Sequence, residues 1–347
     1  MDRCPKKDIR DQAIEELEAE IKSMGVPAHR ARQIFLWLNS KGASGFSDMT
    51  DIPKSLVLKL EKRFRIGSIK CDEHLESALD KTEKFLWFLE DGSHVESVLI
   101  KEGGRRTICL STQVGCRFKC PFCASGKMGF VRDLRASEII NQVLMVQKIC
   151  AIRATNIVFM GMGEPLDNYD NLARAIRVIN HPDGIAIGAR KITVSTCGIV
   201  PGIMRLKDLG IQVELSVSLH SASDKLRDEL VPVNRKYPLA RLMAACKEYY
   251  KKTGRVITLE YTLIEGVNDS FEDADRLAGF AKELKAKVNL IECSPYERPA
   301  CSRVSKKKVN AFRSRLSSKG VTATIRKSRG ADILAACGQL AAKFSSE

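Results

Sequence analysis

Long hydrophobic runs are absent from this 347-residue sequence, in which 29% of the residues are charged. No apolar stretch approaches the roughly 20 residues that a membrane span needs. The first residues, MDRCPKKDIRDQAIEELEAE, alternate in charge and hold no apolar core followed by small residues, so they do not match a secretory signal. We therefore expect a cytoplasmic protein with no membrane partner.

Low-complexity segments and internal repeats are also absent. A period of about 20–50 residues would indicate a solenoid or a propeller, and none is found. At roughly 150 residues per domain, the length instead indicates about two globular domains. In a reducing cytoplasm, we expect the 12 cysteines to be metal ligands, catalytic thiols or small core residues rather than a disulfide framework.

Positive charge is in excess, with 57 Lys and Arg residues against 42 Asp and Glu residues and a formal net charge of +15. Such a balance is expected of a protein that neutralises phosphates, so nucleic acid is the leading partner. From charge alone, a protein that is simply basic is an equal alternative. Several basic residues flank the cysteine motifs: Arg117, Lys119, Lys127, Arg132, Arg135, Arg326, Lys327 and Arg329.

Three kinds of pattern follow one another along the chain. Residues 8–65 carry three amphipathic helical patterns. The segment KFLWFLEDGSHVESVLI has two β-forming runs around Asp91-Gly92, which is a strong hairpin signal. From about residue 107, short β-forming runs alternate with helical stretches. The sequence thus predicts a helical accessory domain over 1–72, a β-hairpin linker over 73–104 and an α/β domain over 105–347.

The alternating region contains seven β-forming runs separated by helical patterns. Strand followed by helix, repeated about six times, predicts parallel strands in an α/β barrel or a doubly wound sheet. The runs are TICLSTQV, NIVFMGM, KITVSTCG, QVELSVSLH, VITLEYTLI, KVNLIEC and TATIRKS.

Three cysteines, Cys116, Cys120 and Cys123, fall within eight residues on a predicted loop after the first of these strands. Iron–sulfur clusters take thiolate ligands, and three cysteines on a [4Fe–4S] cluster leave one iron open to an amino and carboxylate chelate. A structural zinc usually needs four ligands in two pairs, and no second pair or histidine lies near this motif. We therefore predict a [4Fe–4S] cluster at these cysteines.

The CxxxCxxC spacing, with Phe122 before the last cysteine, resembles the signature loop of the radical S-adenosylmethionine (SAM) superfamily. That resemblance implies a partial (β/α)6 barrel, SAM bound to the open iron, and cleavage of SAM to a 5′-deoxyadenosyl radical. Five motifs in order resemble the RlmN/Cfr family of adenine methyltransferases over nearly the whole chain. They are SxQVGCxxxCxFC, GMGEPLxN, STxGxxPxI, SLHxxxDxxRDxxVPxN and RxxxGxDxxAACGQL.

The family resemblance implies roles for three residues in catalysis. Cys337 corresponds to the cysteine that one SAM methylates to carry the methyl group, which suits a ring carbon that is not nucleophilic. Cys109 corresponds to the resolving thiol, which forms a transient disulfide with Cys337 to release product. Glu96 corresponds to the proton acceptor, although a charged side chain on a solvent-facing strand is the alternative interpretation.

The resemblance also implies a set of SAM contacts. Glycine permits close approach of the backbone, a carboxylate can bind the methionyl ammonium, and parallel α/β folds place ligands at strand carboxyl ends. The family usually has an asparagine where this chain has Ser294, which puts that contact in doubt. The predicted SAM-contacting residues are Phe122, Gly163, Glu164, Ser195, Ser218, Leu219, His220 and Ser294.

The seven other cysteines match no ligand pattern and are interpreted as small core residues or inert thiols. They are Cys4, Cys71, Cys150, Cys197, Cys246, Cys293 and Cys301.

By resemblance, the substrate is C2 of an adenosine in 23S rRNA and also in a tRNA anticodon loop. The electron donor would be a flavodoxin or a ferredoxin, and we expect a monomer. Arg30, Arg32 and Lys41 of the helical domain are candidates to meet phosphates. Two alternatives remain open. Methylation at C8 is disfavoured by Pro165, because members with that outcome resemble GMGEA at this point, and a non-catalytic iron–sulfur RNA-binding protein would need no Cys337.

Overall fold

The computed structural model describes residues 6–293 and 304–341. The N-terminal part is helical, as its amphipathic patterns predict, and its helices bury residues such as Leu17, Ile34 and Leu60. Two very short parallel strands join its beginning to its end. The elements are β1 (Lys7–Asp8), α1 (Ile14–Ser23), α2 (His29–Asn39), α3 (Lys54–Arg63) and β2 (Phe64–Arg65).

Four antiparallel strands come next, and a small two-stranded sheet follows them. The four are β3 (Lys70–Glu76), β4 (Glu83–Phe88), β5 (His94–Glu102) and β6 (Arg105–Cys109). The small sheet pairs β7 (Gln113–Gly115) with β8 (Phe130–Asp133) on either side of the short helix α4 (Ala124–Met128).

The rest of the described chain alternates helix and strand. Its elements are α5 (Ala136–Ile149), β9 (Asn156–Phe159), α6 (Tyr169–Asn180), β10 (Ile192–Thr196), α7 (Val200–Lys207), β11 (Glu214–Ser218), α8 (Asp224–Leu230), α9 (Leu239–Thr253), β12 (Thr258–Leu263), α10 (Phe271–Leu284), β13 (Lys287–Glu292), α11 (Lys306–Ser318) and β14 (Ala323–Arg326).

A sheet of ten strands organises the fold, in the order β14-β13-β12-β11-β10-β9-β6-β5-β4-β3. The pairings from β6 through β9 to β14 are all parallel. Every β-forming run of the alternating region contributes a strand to this parallel part, which confirms the predicted α/β fold with a partial barrel. None of the described helices is long and apolar enough to cross a membrane.

The predicted hairpin is present and belongs to the same sheet. Strands β4 and β5 pair from Glu83↔Leu99 to Phe88↔His94, and Gly92 in the turn has a φ of +84°. The segment predicted as a linker therefore extends the barrel sheet by antiparallel strands.

The prediction of one strand over TICLSTQV is wrong, because the structure divides this run in two. Strand β6 ends at Cys109, and β7 starts at Gln113 in another sheet. Between them, the Ser111 hydroxyl donates to the Glu96 carbonyl at 2.5 Å and the Thr112 amide donates to the Met162 carbonyl at 2.9 Å. These bonds turn the chain out of the large sheet toward the cysteine loop.

Arg10 joins the N-terminal helices to the barrel. Its guanidinium, in a side chain that is almost fully buried, lies in a nest of backbone carbonyls and one side-chain amide. It donates to the Leu38 carbonyl at 3.2 Å, the Gly67 carbonyl at 3.1 Å, Oδ1 of Asn141 at 3.0 Å and the Ala43 carbonyl. Because Asn141 is on α5, this one side chain connects the two parts.

We expect Arg10→Ala to lower the free energy of unfolding by about 3–5 kcal/mol, because it leaves buried carbonyls without a donor. Urea unfolding followed by circular dichroism measures the change. Arg32→Ala is the matched control, since the exposed Arg32 guanidinium only pairs with Asp183 at 2.5 Å and surface pairs contribute little. Equal midpoints for the two variants would contradict the role given to Arg10.

Candidate active site

The cysteine loop is closed tightly by the β7–β8 pair. Gly115 has a φ of +72°, and a Cβ at this position would lie 1.7 Å from the carbonyl oxygen of Gly129. The adjacent Cys116 amide donates to that same carbonyl at 3.0 Å, and the Cys123 amide donates to the Cys120 carbonyl at 3.1 Å. Only glycine fits at 115, so the loop directs its three cysteines in a fixed arrangement.

Cys116, Cys120 and Cys123 all line one cavity at the carboxyl ends of the parallel strands. Burial raises the pKa of each thiol, to about 12 for Cys116, and the nearby thiols raise the pKa of Cys120 further. Ionising three neighbouring buried thiols needs positive charge to compensate, which a metal cluster supplies. The donor set therefore fits the [4Fe–4S] cluster predicted from the sequence.

Glu164 lies in the same cavity, after strand β9. Its carboxylate is buried and accepts the backbone amides of Cys197 at 2.7 Å and Leu166 at 3.1 Å. Burial raises its pKa, and these amide donors act in the opposite direction. Gly163 must be glycine, because its φ is +93° and a Cβ there would lie 2.4 Å from Cβ of Gln113. A carboxylate fixed in this way is suited to hold an ammonium group.

His220 is a neutral hydrogen-bond donor at the cavity wall. Its Nδ1 accepts the Thr262 amide at 3.0 Å, which leaves the proton on Nε2. Burial lowers the pKa of the imidazole to about 3, and the ring meets Phe122 edge-on at 4.9 Å between centroids. Asn268 fixes the backbone of this residue by donating to the His220 carbonyl at 2.8 Å.

The other predicted SAM contacts are divided. Ser195 and Ser218, at the ends of β10 and β11, line the cavity together with Phe122 and Gly163. Leu219 is fully buried in the core and does not line the cavity, although its amide joins β11 to the Glu260 carbonyl at 3.0 Å. Ser294 lies outside the described residues.

Some residues that line the cavity were not predicted from the sequence to be site residues. Glu260, from β12, is buried, and its two carboxylate oxygens lie 3.3 and 3.2 Å from Nδ2 of Asn289. Cys197, interpreted from sequence as an inert thiol, lines the cavity next to Glu164. A charged residue within the apolar run VITLEYTLI was the available signal for Glu260, because a buried carboxylate in a strand needs a partner.

Arg227 was not predicted to be a site residue, but it holds the backbone next to this cavity. The guanidinium is fully buried and donates to the Cys197 carbonyl at 2.6 Å, the Leu219 carbonyl at 3.1 Å and Oδ1 of Asn234 at 2.8 Å. Its positive charge acts to lower the pKa of Cys120, against the larger effect of burial. It thus fixes the ends of β10 and β11 and favours a thiolate on the cysteine loop.

Cys337 lies at the cavity on a segment that docks directly onto the cysteine loop. The Ala124 amide donates to the Gly338 carbonyl at 2.7 Å, and the Ser125 hydroxyl donates to the Leu340 carbonyl at 2.6 Å. Its side chain is exposed and its thiol is free. An exposed thiol beside the cysteine loop can receive and pass on a chemical group.

Cys109 is the partner that the sequence analysis assigns to Cys337. It ends β6, is buried and is also a free thiol. Burial, together with nearby Cys337, raises its pKa to about 12. Arg326, at the end of β14, lies beside both cysteines, which raise the pKa of its guanidinium. The structure therefore brings the two predicted thiols together and adds a cation next to them.

Glu96 does not lie on a solvent-facing side of its strand, so the alternative interpretation of it as an exposed charged residue is wrong. Its side chain is 2% exposed and pairs with Nζ of Lys84 at 3.1 Å. The second carboxylate oxygen accepts the Ala341 amide at 2.9 Å. Glu96 does not line the cavity; it holds the segment that carries Cys337. The predicted role as proton acceptor remains a prediction.

Comparisons with known proteins cover nearly the whole chain. Residues 110–278 match the Radical SAM superfamily, and residues 7–66 match the ribosomal RNA large subunit methyltransferase N-terminal domain. The dual-specificity RNA methyltransferase RlmN of Geobacter sulfurreducens is 46% identical over 337 residues, covering 97% of this chain and 92% of the relative. A probable dual-specificity RNA methyltransferase RlmN of Thermoanaerobacter is 44% identical over 339 residues, covering 98% and 99%.

A solved structure has the same fold over almost its full length. It is the crystal structure of a radical SAM methyltransferase from Sphaerobacter thermophilus, which is 43% identical, with a TM-score of 0.91. The match covers 97% of this chain and 100% of that chain.

Proposed function

Because the chain belongs to the RlmN family of radical SAM RNA methyltransferases, we propose that it methylates C2 of an adenosine in 23S rRNA and in tRNA. One observation carries the mechanism: the segment bearing Cys337 is hydrogen-bonded to the loop bearing Cys116, Cys120 and Cys123. The names of the curated relatives support the dual RNA specificity.

The residues fit a division of labour around two SAM molecules. Cys116, Cys120 and Cys123 would hold the [4Fe–4S] cluster, which supplies the electron that cleaves SAM when it is bound. The buried carboxylate of Glu164 binds the methionyl ammonium, and His220 donates from Nε2 inside the cavity. Ser195 and Ser218 provide hydroxyls at the same edge of the sheet.

Cys337 accepts the methyl group of one SAM as a thioether and presents it to the adenine. Once the methyl carbon has bonded to C2 of the adenine, the Cys109 thiolate attacks the Cys337 sulfur: the S–S bond forms as the sulfur–carbon bond breaks, and the carbon on the adenine keeps the electron pair and takes a proton to become the methyl group. A reductant then restores the two thiols. Arg326 stands beside both thiols and stabilises negative charge on sulfur while this exchange occurs. Glu96 accepts the proton that the adenine ring loses, and its second carboxylate oxygen holds the Ala341 amide.

The partners follow from charge and chemistry. The net charge of +15 suits an RNA backbone, and we propose that residues 1–72 contact RNA outside the target nucleotide. All three predicted phosphate-binding residues already have intramolecular contacts. Arg30 donates to Oε1 of Gln33 at 2.7 Å, Arg32 pairs with Asp183, and Lys41 lies over the Trp37 ring at 3.6 Å. A flavodoxin or ferredoxin would supply the electron to a monomeric enzyme in the cytoplasm.

Incubation of the anaerobically reconstituted enzyme with methyl-deuterated SAM, a reductant and an rRNA fragment tests the function. We expect mass spectrometry of the digested RNA to find labelled 2-methyladenosine, and peptide analysis to find a labelled methyl group on Cys337. Omission of the reductant is the control. Labelled 8-methyladenosine would instead assign the C8 reaction, and the absence of any methyl group with an intact cluster would refute the methyltransferase proposal.

A further inference from the structure

A second group of metal-binding side chains lies away from the cavity. His74 is on the edge strand β3, Glu83 begins β4, and Cys150 caps the carboxyl end of α5. None of the three lines the cavity described above. Here we call them the His74–Glu83–Cys150 group.

A β-bulge brings His74 to this place. The register of β3 against β4 shifts between Cys71 and Glu73, so that His74 pairs with Phe85. The two rings stack at 4.4 Å between centroids, with 13° between their planes. A bulge changes the face to which the following residues point. The imidazole therefore lies over the sheet face on which α5 packs, rather than on the opposite side.

Oε2 of Glu83 contacts the potential ligand atoms of both other residues. Nε2 of His74 lies 2.6 Å from Oε2 of Glu83, and Sγ of Cys150 lies 3.2 Å from the same oxygen. One ligand atom from each residue falls within 4.8 Å of the other two. The second carboxylate oxygen is held by Nζ of Lys101, so the oxygen that faces the other ligands is fixed in direction.

The donor chemistry selects the class of cation. One nitrogen, one sulfur and one oxygen suit a borderline ion such as Zn²⁺, whereas Mg²⁺ and Ca²⁺ require oxygen ligands only. The Glu83 side chain is 5% exposed and the His74 side chain is 37% exposed, which leaves a fourth position for water on the His74 side. The carboxyl end of α5 adds the negative end of a helix dipole, which favours a cation.

We propose that His74, Glu83 and Cys150 bind one Zn²⁺ ion, with water as the fourth ligand. On binding, the Nε2–Oε2 hydrogen bond is replaced by two metal bonds: the neutral imidazole moves its proton from Nε2 to Nδ1 so that Nε2 can coordinate, and the thiol proton of Cys150 passes to solvent. Lys101 stays on the other carboxylate oxygen and orients Glu83, as outer partners of metal ligands commonly do. None of the three ligands contacts the reacting groups, so zinc binding can be measured independently of the proposed function.

A bound zinc ion would stabilise the β3–β4 turn, which holds the Cys337 segment. The turn that joins β3 to β4 holds that segment directly, because the Ser77 hydroxyl donates to Oδ1 of Asp332 at 2.7 Å and the Gly330 amide donates to Oδ2 of Asp80 at 3.0 Å. His74 and Glu83 flank this turn on its two strands. Zinc would therefore link β3, β4 and the carboxyl end of α5 close to this turn.

The test is metal analysis of the cluster-loaded enzyme after equilibration with Zn²⁺ and dialysis against a weak chelator. We expect one zinc per wild-type chain in addition to the cluster iron. Cys150→Ser and His74→Gln should lower zinc affinity by at least about tenfold. Cys246→Ser is the matched control, since that buried thiol lies on α9, and it should retain zinc. The iron content of each variant reports whether its fold is intact.

X-ray absorption at the zinc edge keeps the proposal testable if a variant fails to fold. The wild-type spectrum should fit one sulfur at about 2.3 Å and nitrogen or oxygen at about 2.0–2.1 Å. Retention of no zinc by the wild type, a shell of two or more sulfurs, or equal zinc binding by Cys150→Ser would each overturn the assignment.

Discussion

Cys337→Ala is expected to lower RNA methylation by at least ~10⁴-fold, the scale on which loss of a covalent catalytic residue acts. Cluster binding should survive, because the segment docks through backbone groups: the Gly338 and Leu340 carbonyls accept hydrogen bonds from the cysteine loop. Transfer of labelled methyl groups from SAM to RNA measures the loss, and iron analysis confirms the intact cluster. Cys71→Ala removes a free thiol that does not line the cavity and is the matched control.

The variant Cys109→Ala tests whether product release is a separate step from methylation of Cys337. Cys337 should still be methylated and should still attach to RNA, but an RNA–protein adduct should accumulate because no thiol resolves it. Burial raises the pKa of Cys109 to about 12, and the thiolate is the attacking species. Release by the wild type should therefore accelerate about tenfold per pH unit below that pKa. Repeated turnover by Cys109→Ala would contradict both roles.

Cys120→Ala is expected to abolish SAM cleavage altogether, since two thiols cannot hold the cluster in place. Iron should fall from about four atoms per chain to background, and the visible absorption of the cluster should disappear. Formation of 5′-deoxyadenosine, followed by chromatography, measures the loss of cleavage. Full iron content with normal deoxyadenosine formation would show that another residue replaces Cys120.

The iron content of the purified protein distinguishes Cys337→Ala from Cys120→Ala. We expect Cys337→Ala to keep the cluster and lose methyl transfer, and we expect Cys120→Ala to lose the cluster and, as a consequence, methyl transfer. Loss of cluster iron in both variants would mean that Cys337 supports the loop through its side chain. That result would revise the carrier role without affecting the zinc site, which has its own element-specific readout.

The sequence allowed prediction of the elements that follow local rules. Parallel strands gather their carboxyl ends, so Glu164, Ser195, Ser218 and His220 could be expected at one edge from their positions after β-forming runs. The loop of Cys116, Cys120 and Cys123 could be expected from spacing. These inferences depend on short stretches of chain whose surroundings are set by the repeated strand–helix pattern.

Long-range contacts were beyond the reach of the sequence. Nothing in the run His94-Val95-Glu96 indicates that its carboxylate meets an amide 245 residues away. Arg326 stands out only once the end of β14 lies beside Cys109 and Cys337. The bulge in β3 moves His74 toward Cys150, and a one-residue shift of register is not visible in a composition pattern.

The two hydrogen bonds from Ala124 and Ser125 to the Gly338 and Leu340 carbonyls join the cysteine loop and the segment that bears Cys337 into one mechanical unit. A displacement of the loop is therefore passed to Cys337, and a force on the segment reaches the three cysteines. Under the proposed function, the residues that hold the cluster and the residue that carries the methyl group would move together.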